Sequence, residues 1–269
     1  MEVIPRLPSL YDEPFSDSSQ IPTFLVSQMT RQHVTVSLSG DAGDELFGGY
    51  HSYFLAKSMW NKTRRIPGFA RRLFAGLVRS LSVKTWNRLG KILGSVSSSR
   101  LFNRPIGDRA YKLAKIQRES TPEGIYRGLI SHWDNPAKIV VGSSEPKTIF
   151  TDCSGLPNLT DFEHRMMYQD TISFLSGDIL AKVDRAAMGV SLETRVPFLD
   201  HRVVEFAWRL PLSLKIRSGQ GKWILRQVLY KYVPKELIER PKMGFGVPID
   251  SWLRGPLRDW AESLLAEDR

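Results

Sequence analysis

The sequence predicts an α/β fold, in which a partial doubly wound parallel sheet is followed by a mostly helical part. Short β-branched runs occur at Val3-Ile4 and at 33–38, as in strands. Between them, 21–30 has apolar residues at helical spacing, which predicts the crossover helix of a parallel pair. From residue 57 onward the apolar residues recur at three- and four-residue steps, so the remainder is expected to be helical.

Composition excludes several classes of protein. The 269 residues are 42% hydrophobic and 25% charged, which is typical of a globular chain and not of a disordered one. Cys153 is the single cysteine, so an intramolecular disulfide is impossible, and the five histidines show no metal-ligand spacing. No apolar run is long enough to span a membrane and the start is unlike a signal peptide, so a cytoplasmic protein is expected.

The net charge of +10 has a local origin. The stretch 57–118 has sixteen Lys and Arg residues against one acid, Asp108. Within it, apolar residues at helical spacing predict a basic amphipathic helix over 66–81: Ile66, Phe69, Leu73, Leu77 and Leu81. This spacing favours a buried apolar face with a solvated basic rim. The alternative is a module that binds nucleic acid or an anionic membrane.

Three parts of the chain are distinguished by these patterns. They are an α/β part with a glycine-containing loop (1–56), a basic helical stretch (57–120) and a helical part (121–269). Loops are predicted at 95–103 and 141–159. Further helices are predicted at 161–175, 178–188, 201–210 and 222–232.

The loop at 39–45 is the candidate for chemistry. It lies between a strand end and a helix start and contains glycines, the arrangement that binds phosphate. Its acids, Asp41, Asp44 and Glu45, would repel a bare triphosphate, and no Gly-Lys-Ser/Thr offsets them. A Mg²⁺ ion held by Asp44 would resolve the conflict. The alternative is structural: Asp44 caps the helix and Gly48-Gly49 loosens it.

Four segments together resemble one known family. They are Leu38-Ser39-Gly40-Asp41-Ala42-Gly43-Asp44-Glu45, Asp12-Glu13-Pro14-Phe15, the run from Asp178 through Arg195-Val196-Pro197-Phe198 to His201, and Arg240-Pro241-Lys242-Met243-Gly244-Phe245-Gly246. In this order they are similar to motifs of the glutamine-dependent (class B) asparagine synthetases. The resemblance extends from about residue 3 to about residue 265 and is weakest in the basic stretch.

The resemblance implies an adenine-nucleotide α-hydrolase-like, Rossmann-like fold and an ATP-dependent ligase. The family activates a carboxylate as an acyl-adenylate, releases pyrophosphate, and forms an amide by attack of ammonia. Asp41 and Lys242 match its catalytic residues, and Asp44 matches its metal ligand for Mg²⁺ and pyrophosphate. The nucleotide-binding positions it implies are Leu38, Ser39, Gly40 and Gly43. Aspartate is the default acceptor, and sugar acids or other carboxylates are the alternatives.

Two elements of the family are missing from this sequence. No Ser-Gly-Gly-x-Asp-Ser pyrophosphate loop precedes Tyr11, and residue 2 is Glu2 where the glutaminase nucleophile would be a cysteine. We therefore expect the carboxyl-terminal part of a synthetase domain, inactive or very weak alone, with a pyrophosphate-loop segment and a glutaminase as partners encoded upstream. A remnant without independent activity is the other possibility.

Two departures concern the loop and the acceptor. Ala42 stands where the family has glycine, so a positive φ at this position would cost on the order of 1 kcal/mol. Asp17 lies where the metabolic branch has a base, which disfavours a carboxylate acceptor. Structural roles are expected for Glu193, Arg195 and Asp184-Arg185, as members of semi-buried pairs, and Cys153 is expected to be an idle thiol.

Overall fold

The computed structural model describes residues 2–96, 106–133, 137, 139–239 and 245–266. The chain divides into two compact units. The first comprises Met1–Leu46, Thr171–Leu210 and Ile224–Arg269, and the second comprises Phe47–Asp170 and Pro211–Trp223. Each unit therefore combines segments that are distant in the sequence.

The described secondary structure is mostly helical. In chain order, the helices and strands are α1 (Leu7–Tyr11), α2 (Gln20–Arg31), β1 (Val36–Leu38), α3 (Gly43–Phe47), α4 (His51–Thr63), α5 (Gly68–Ser80), α6 (Val83–Val96), α7 (Ile106–Ile116), α8 (Pro122–Ile130), α9 (Phe162–Ile172), α10 (Ala181–Met188), β2 (Glu193–Arg195), α11 (His201–Arg209), α12 (Leu212–Lys215), α13 (Trp223–Leu229), α14 (Lys235–Ile238), α15 (Ile249–Leu253) and α16 (Arg258–Leu264). A π-helical segment, Leu175–Leu180, leads directly into α10.

In the first unit, α2 packs against α10 beside a two-stranded parallel sheet. The helix predicted over 21–30 is confirmed as α2, with Ile21 and Phe24 buried against Ala186 of α10 and Leu25 and Met29 exposed. Strand β1 pairs with β2 in the register Val36↔Glu193 to Leu38↔Arg195. A parallel sheet is therefore confirmed, in a mostly helical α/β fold.

The predicted strand partner of β1 was wrong. Val3 and Ile4 form no strand: Ile4–Arg6 is a 3-10 turn that continues into α1. Pro5 fixes a φ suited to a helical turn, and Val3 is buried against Ile21 and Phe24 as a core residue. The partner of β1 is β2, which lies within the part 121–269 where the sequence patterns predicted no strand.

In the second unit, a cluster of small side chains joins α5 to α7. Ala75 and Val78 of α5 are buried with Ala114 of α7, and Trp86 packs against them. The Trp86 indole donates a hydrogen bond to the carbonyl of Val78 at 2.8 Å, and Arg71 donates to the carbonyl of Glu119 at 2.6 Å. Small side chains let the two helix backbones approach closely.

A polar cluster holds α4, α8 and α9 of the same unit. The hydroxyls of Tyr53 and Tyr126 donate to one oxygen of Asp170, at 2.7 and 2.6 Å, and all three side chains are buried. Burial raises the pKa of Asp170, and the two hydroxyls oppose that rise by stabilising the carboxylate. The buried charge is therefore tolerated through tyrosine donors.

The amphipathic helix predicted over 66–81 is confirmed as α5, but its expected orientation was wrong. Phe69, Leu73 and Leu77 are 76, 64 and 62% exposed, whereas the small residues Ala75 and Val78 face α7. The packing contact uses the side of the helix where small side chains permit close approach. The large apolar side chains of α5 therefore lie on the surface of the unit.

Most other predicted elements are confirmed, with shifted ends. The helices expected at 161–175, 201–210 and 222–232 are α9, α11 and α13, and 178–188 contains the end of the π-helical segment and α10. Residues 141–159 are irregular as predicted. Of the loop predicted at 95–103, the first two residues end α6 and 97–103 lie outside the described residues. Among the described helices, none combines the length and apolar character needed to cross a membrane.

Candidate active site beside the first strand

The loop 39–42 connects β1 to α3 through defined backbone contacts. The amide of Ser39 donates to the carbonyl of Arg195 at 2.8 Å, which extends the ladder between β1 and β2. The amide of Gly43 then donates to the carbonyl of Gly40, closing the turn, and Leu46 donates to the carbonyl of Ala42 at 2.9 Å. The predicted order of strand, loop and helix is confirmed.

Ala42 has a positive φ, the conformation for which the sequence analysis expected an energetic cost at this position. Its φ is 66°, in the left-handed region that favours glycine, and its side chain is buried. An alanine here carries a conformational cost on the order of 1 kcal/mol. The loop is therefore held in a conformation that its own sequence does not favour locally.

Ser39 and Asp41 are joined within the loop. The Ser39 hydroxyl donates to a carboxylate oxygen of Asp41, and the Asp41 amide donates to the Ser39 oxygen at 3.3 Å. Asp41 is half-buried. The pair fixes an acid at the carboxyl end of a parallel strand, where open α/β sheets bind ligands.

A cavity of about 530 Å³ opens at this strand end, within the first unit. Its size falls within the range of small-molecule sites. The wall is rich in hydroxyl groups, from Ser19, Thr23, Ser27, Thr30, Ser37, Ser39 and Thr194. Asp41 and Lys182 supply charged groups, and Phe245 contributes an aromatic side chain.

Lys182 is the central cation of a cluster that the sequence patterns missed. Its ammonium lies 2.5 Å from Asp17 Oδ2 and 3.6 Å from Asp178 Oδ1, and its side chain is only 10% exposed. Asp178 precedes Lys182 by four residues on one helical face, a spacing that could have indicated the pair. Asp17 was noted for its charge but not for its partner.

The contacts within this cluster shift the pKa values of its carboxyl groups. Burial alone would raise the pKa of Asp17, but hydrogen bonds from Lys182 and Ser19 outweigh it and lower that pKa. Burial and the neighbouring Asp17 charge raise the pKa of Asp178. Tyr11, whose hydroxyl donates to the Lys182 carbonyl at 3.2 Å, has its pKa raised to about 12, first by burial and then by the two aspartates. Lys182, in the cavity wall, is thus shared by two carboxylates that are not themselves among the lining residues.

The predicted site residues are only partly brought together. Leu38, Ser39, Gly40 and Asp41 line the cavity. Gly43 and Asp44 lie in the first turn of α3 and are not among its lining residues. Lys242 lies outside the described residues.

The alternative that Asp44 and Gly48 have only structural roles can be compared with their positions in and after α3. Asp44 lies in the first helical turn, where a carboxylate interacts favourably with the helix dipole. Gly48 has a φ of 69°, and a Cβ at this position would lie 2.7 Å from Ile216 Cγ1, so it is required by conformation and space. Gly48 therefore ends α3 and does not loosen it.

The single carboxylate of Asp44 is enough for a magnesium ion whose other ligands are phosphate oxygens and water. Among the described residues, no group of three or more His, Cys, Asp or Glu side chains could enclose a metal. Mg²⁺ at phosphate sites usually takes only one or two protein carboxylates and completes its shell with phosphate and water. A single half-buried aspartate at the loop end matches that donor set.

Arg185, Glu193 and Arg195, which were expected to be structural, form ion pairs at the surface. Arg195 contacts Glu193 at 2.6 Å, although both are largely exposed and not semi-buried as predicted. Arg185 of α10 contacts Asp12 at 2.8 Å on the surface. Partial burial and then the charge of Glu123 raise the pKa of Cys153, which disfavours its reactive thiolate.

Comparison with known proteins settles the family. The asparagine synthase family model matches residues 1–269. The chain belongs to the asparagine synthase family. Asparagine synthetase [glutamine-hydrolyzing] 1 of Bacillus subtilis is 34% identical over all of this chain, and a putative asparagine synthetase [glutamine-hydrolyzing] of Mycobacterium tuberculosis is 36% identical over 99% of it. No solved structure gives a significant match.

The match locates the chain within longer relatives. It spans 39% of the Bacillus protein and 38% of the Mycobacterium protein, in their carboxyl-terminal part. The asparagine synthetase [glutamine-hydrolyzing] of Rattus norvegicus is 27% identical over 81% of the chain. The family does not favour a basic binding module as the chain's function.

Proposed function

We propose that the chain supplies part of an ATP-dependent amide-forming site of the asparagine synthetase type. In this reaction a carboxylate attacks the α-phosphorus of ATP, pyrophosphate leaves, and ammonia displaces AMP from the acyl-adenylate. The observation that carries the proposal is the loop 39–45, which follows β1 and contributes Asp41 to the wall of a cavity. A Rossmann-like nucleotide fold of the α-hydrolase type is part of the same proposal.

In the first step, residues at the loop end would stabilise charge on the departing pyrophosphate. Asp44 would hold Mg²⁺, and Lys242 would add a flexible ammonium. Bound Mg²⁺ supplies charge neutralisation at the phosphate oxygens. Leu38, Ser39, Gly40 and Gly43 would contact the nucleotide.

In the second step, Asp41 would take a proton. Ammonia becomes cationic as it attacks the acyl carbon, and it must lose a proton for the amide to form. The Ser39 hydroxyl holds the Asp41 carboxylate in one orientation, which suits a general base. Aspartate is the proposed acceptor.

Carboxylates other than aspartate are a second candidate acceptor, because the cation in the cavity wall, Lys182, is already paired. Its ammonium is already shared between Asp17 and Asp178, so this part of the cavity has no surplus positive charge. A second free carboxylate on the acceptor would meet net negative charge there.

We also propose that an upstream segment, with the pyrophosphate loop and a glutaminase, completes the enzyme. The support is the open edge of the sheet: among the described residues, β1 pairs only with β2, and Leu38 is 74% exposed. An exposed apolar edge strand is a template for a further strand, and parallel sheets are normally covered.

Retention on a Mg-ATP resin tests the role of Asp44. We expect Asp44→Asn to abolish magnesium-dependent retention. Asp259→Asn is the matched control, since Asp259 is an exposed carboxylate in the first turn of another short helix, α16. Equal retention of the Asp44→Asn variant and the wild-type chain would contradict the assignment.

Pyrophosphate release tests the need for the upstream segment. With Mg-ATP, aspartate and ammonia, we expect little release from the isolated chain. The gene upstream of Met1 should then encode Ser-Gly-Gly-x-Asp-Ser, in frame or in an adjacent frame. Turnover comparable to that of an intact synthetase would show that the chain needs no further segment.

A further inference from the structure

Helix α5 presents a continuous apolar surface to solvent. Phe69, Leu73, Phe74 and Leu77, here called the α5 apolar face, are all exposed. At 3.6 residues per turn these four side chains fall within an arc of about 140°. The opposite side of the helix is occupied by Ala75 and Val78, which pack against α7 in the same unit.

The charged residues of α5 and of the chain on either side of it are all basic. Arg65 and Arg72 are exposed, and Arg72 lies on the helix surface that borders the face beside Phe69. Residues 46–107 contain no Asp or Glu at all. An apolar centre bordered by arginine, in a stretch of chain without acids, is the pattern of helices that lie in the surface of an anionic membrane.

We propose that the α5 apolar face docks on an anionic lipid surface. The large side chains would enter the boundary between headgroups and acyl chains, and the arginines would bind the headgroup phosphates. The helix would lie in the surface, because its 13 residues are too few to span a bilayer. This surface is additional to the amide-forming site and rests on none of its residues.

Charge and side-chain chemistry favour lipid over the other occupants. A second copy of the chain would place arginines against arginines, which is repulsive. Single-stranded nucleic acid is bound by cations together with aromatic stacking platforms, whereas the middle of this face is formed by the aliphatic Leu73 and Leu77. Anionic lipid accommodates both the aliphatic centre and the basic border.

Co-sedimentation with vesicles tests the proposal on the full chain. Vesicles of phosphatidylglycerol with phosphatidylcholine should retain the protein, vesicles of phosphatidylcholine alone should not, and added salt should weaken retention. Leu73→Ser with Leu77→Ser should lower the partition coefficient at least about tenfold. Val140→Ser with Val141→Ser is the matched control, since both valines are exposed and lie outside α5.

A second variant keeps the test valid if the serine variant loses its fold, as judged by circular dichroism. Arg65→Glu with Arg72→Glu leaves the apolar face intact and should also release the protein from anionic vesicles. Undiminished retention of either folded variant would overturn the proposal, as would equal retention on phosphatidylcholine. It would also be overturned by a dimer that Leu73→Ser with Leu77→Ser dissociates, or by binding of single-stranded DNA that is lost only in the arginine variant.

Discussion

The loop 39–45 and helix α5 both contain several charged residues, but the structure places those charges differently. In the loop, the Asp41 carboxylate is held by Ser39 and lines a cavity. In α5, Arg72, Arg79 and the large apolar side chains lie on the surface, and small residues form the packing contact. Conformational strain is accepted at Ala42 in the loop, whereas α5 is a regular helix. Specific chemistry depends on a fixed arrangement, while surface recognition needs only a pattern.

The largest expected effect concerns the charged cluster at the cavity. Lys182→Met would leave Asp17 and Asp178 without their cation, so we expect a loss of about 3 kcal/mol in the free energy of unfolding. Urea denaturation measures it. An unchanged free energy of unfolding would show that the Lys182 cluster, like an exposed charge, contributes little to stability.

The control for that comparison is the neighbouring surface pair. Arg185→Met removes the exposed contact with Asp12 and should cost less than about 1 kcal/mol. Adding Asp17→Asn to Lys182→Met should restore part of the lost stability, because one unpaired carboxylate is then removed. A double variant no more stable than Lys182→Met would show that the loss is not electrostatic.

The second prediction concerns Lys215, a buried cation of the second unit. Burial lowers the pKa of Lys215 from 10.5 to about 8. Between these values the unfolded chain binds more protons than the folded chain, so this residue makes stability rise with pH, by at most about 3 kcal/mol. Thermal unfolding from pH 8 to pH 10 should show the rise in the wild-type chain and less of it in Lys215→Met. Identical pH profiles would contradict the assignment.

The third prediction concerns the tyrosine donors around Asp170. Tyr53→Phe and Tyr126→Phe should each cost about 1–2 kcal/mol, because each removes a donor from a buried carboxylate. Tyr232→Phe, at a highly exposed tyrosine, should have almost no effect. Chemical denaturation of the three variants checks this. If the three variants were equally stable, the second unit would not depend on its buried polar cluster.

The smallest expected effect concerns the strained loop residue. Ala42→Gly relieves a positive φ but removes a buried methyl group, so we expect a net gain of about 0.5 kcal/mol. Ala75→Gly, within α5, should instead destabilise by at least about 1 kcal/mol. Denaturant midpoints compare the two. A loss at both positions would contradict the difference between loop and helix.

Local patterns determined much of this protein. The apolar spacing of α2 and α5, the strand before Ser39 and the loop 39–45 are readable because each depends on neighbours within a few residues. The family was also readable, since its motifs are contiguous, and the match over residues 1–269 confirms it. The roles of Asp41, Asp44 and Lys242 stay predictions.

Only the tertiary structure decided which surfaces meet. It paired β1 with β2, more than a hundred residues away, and made Val3 a core residue of a turn. It joined Asp17 to Lys182 across 165 positions, and it turned the small side of α5 inward. These outcomes depend on the fit of side chains that are distant in the sequence, so periodicity alone can show that a helix has two faces but not which of them is buried.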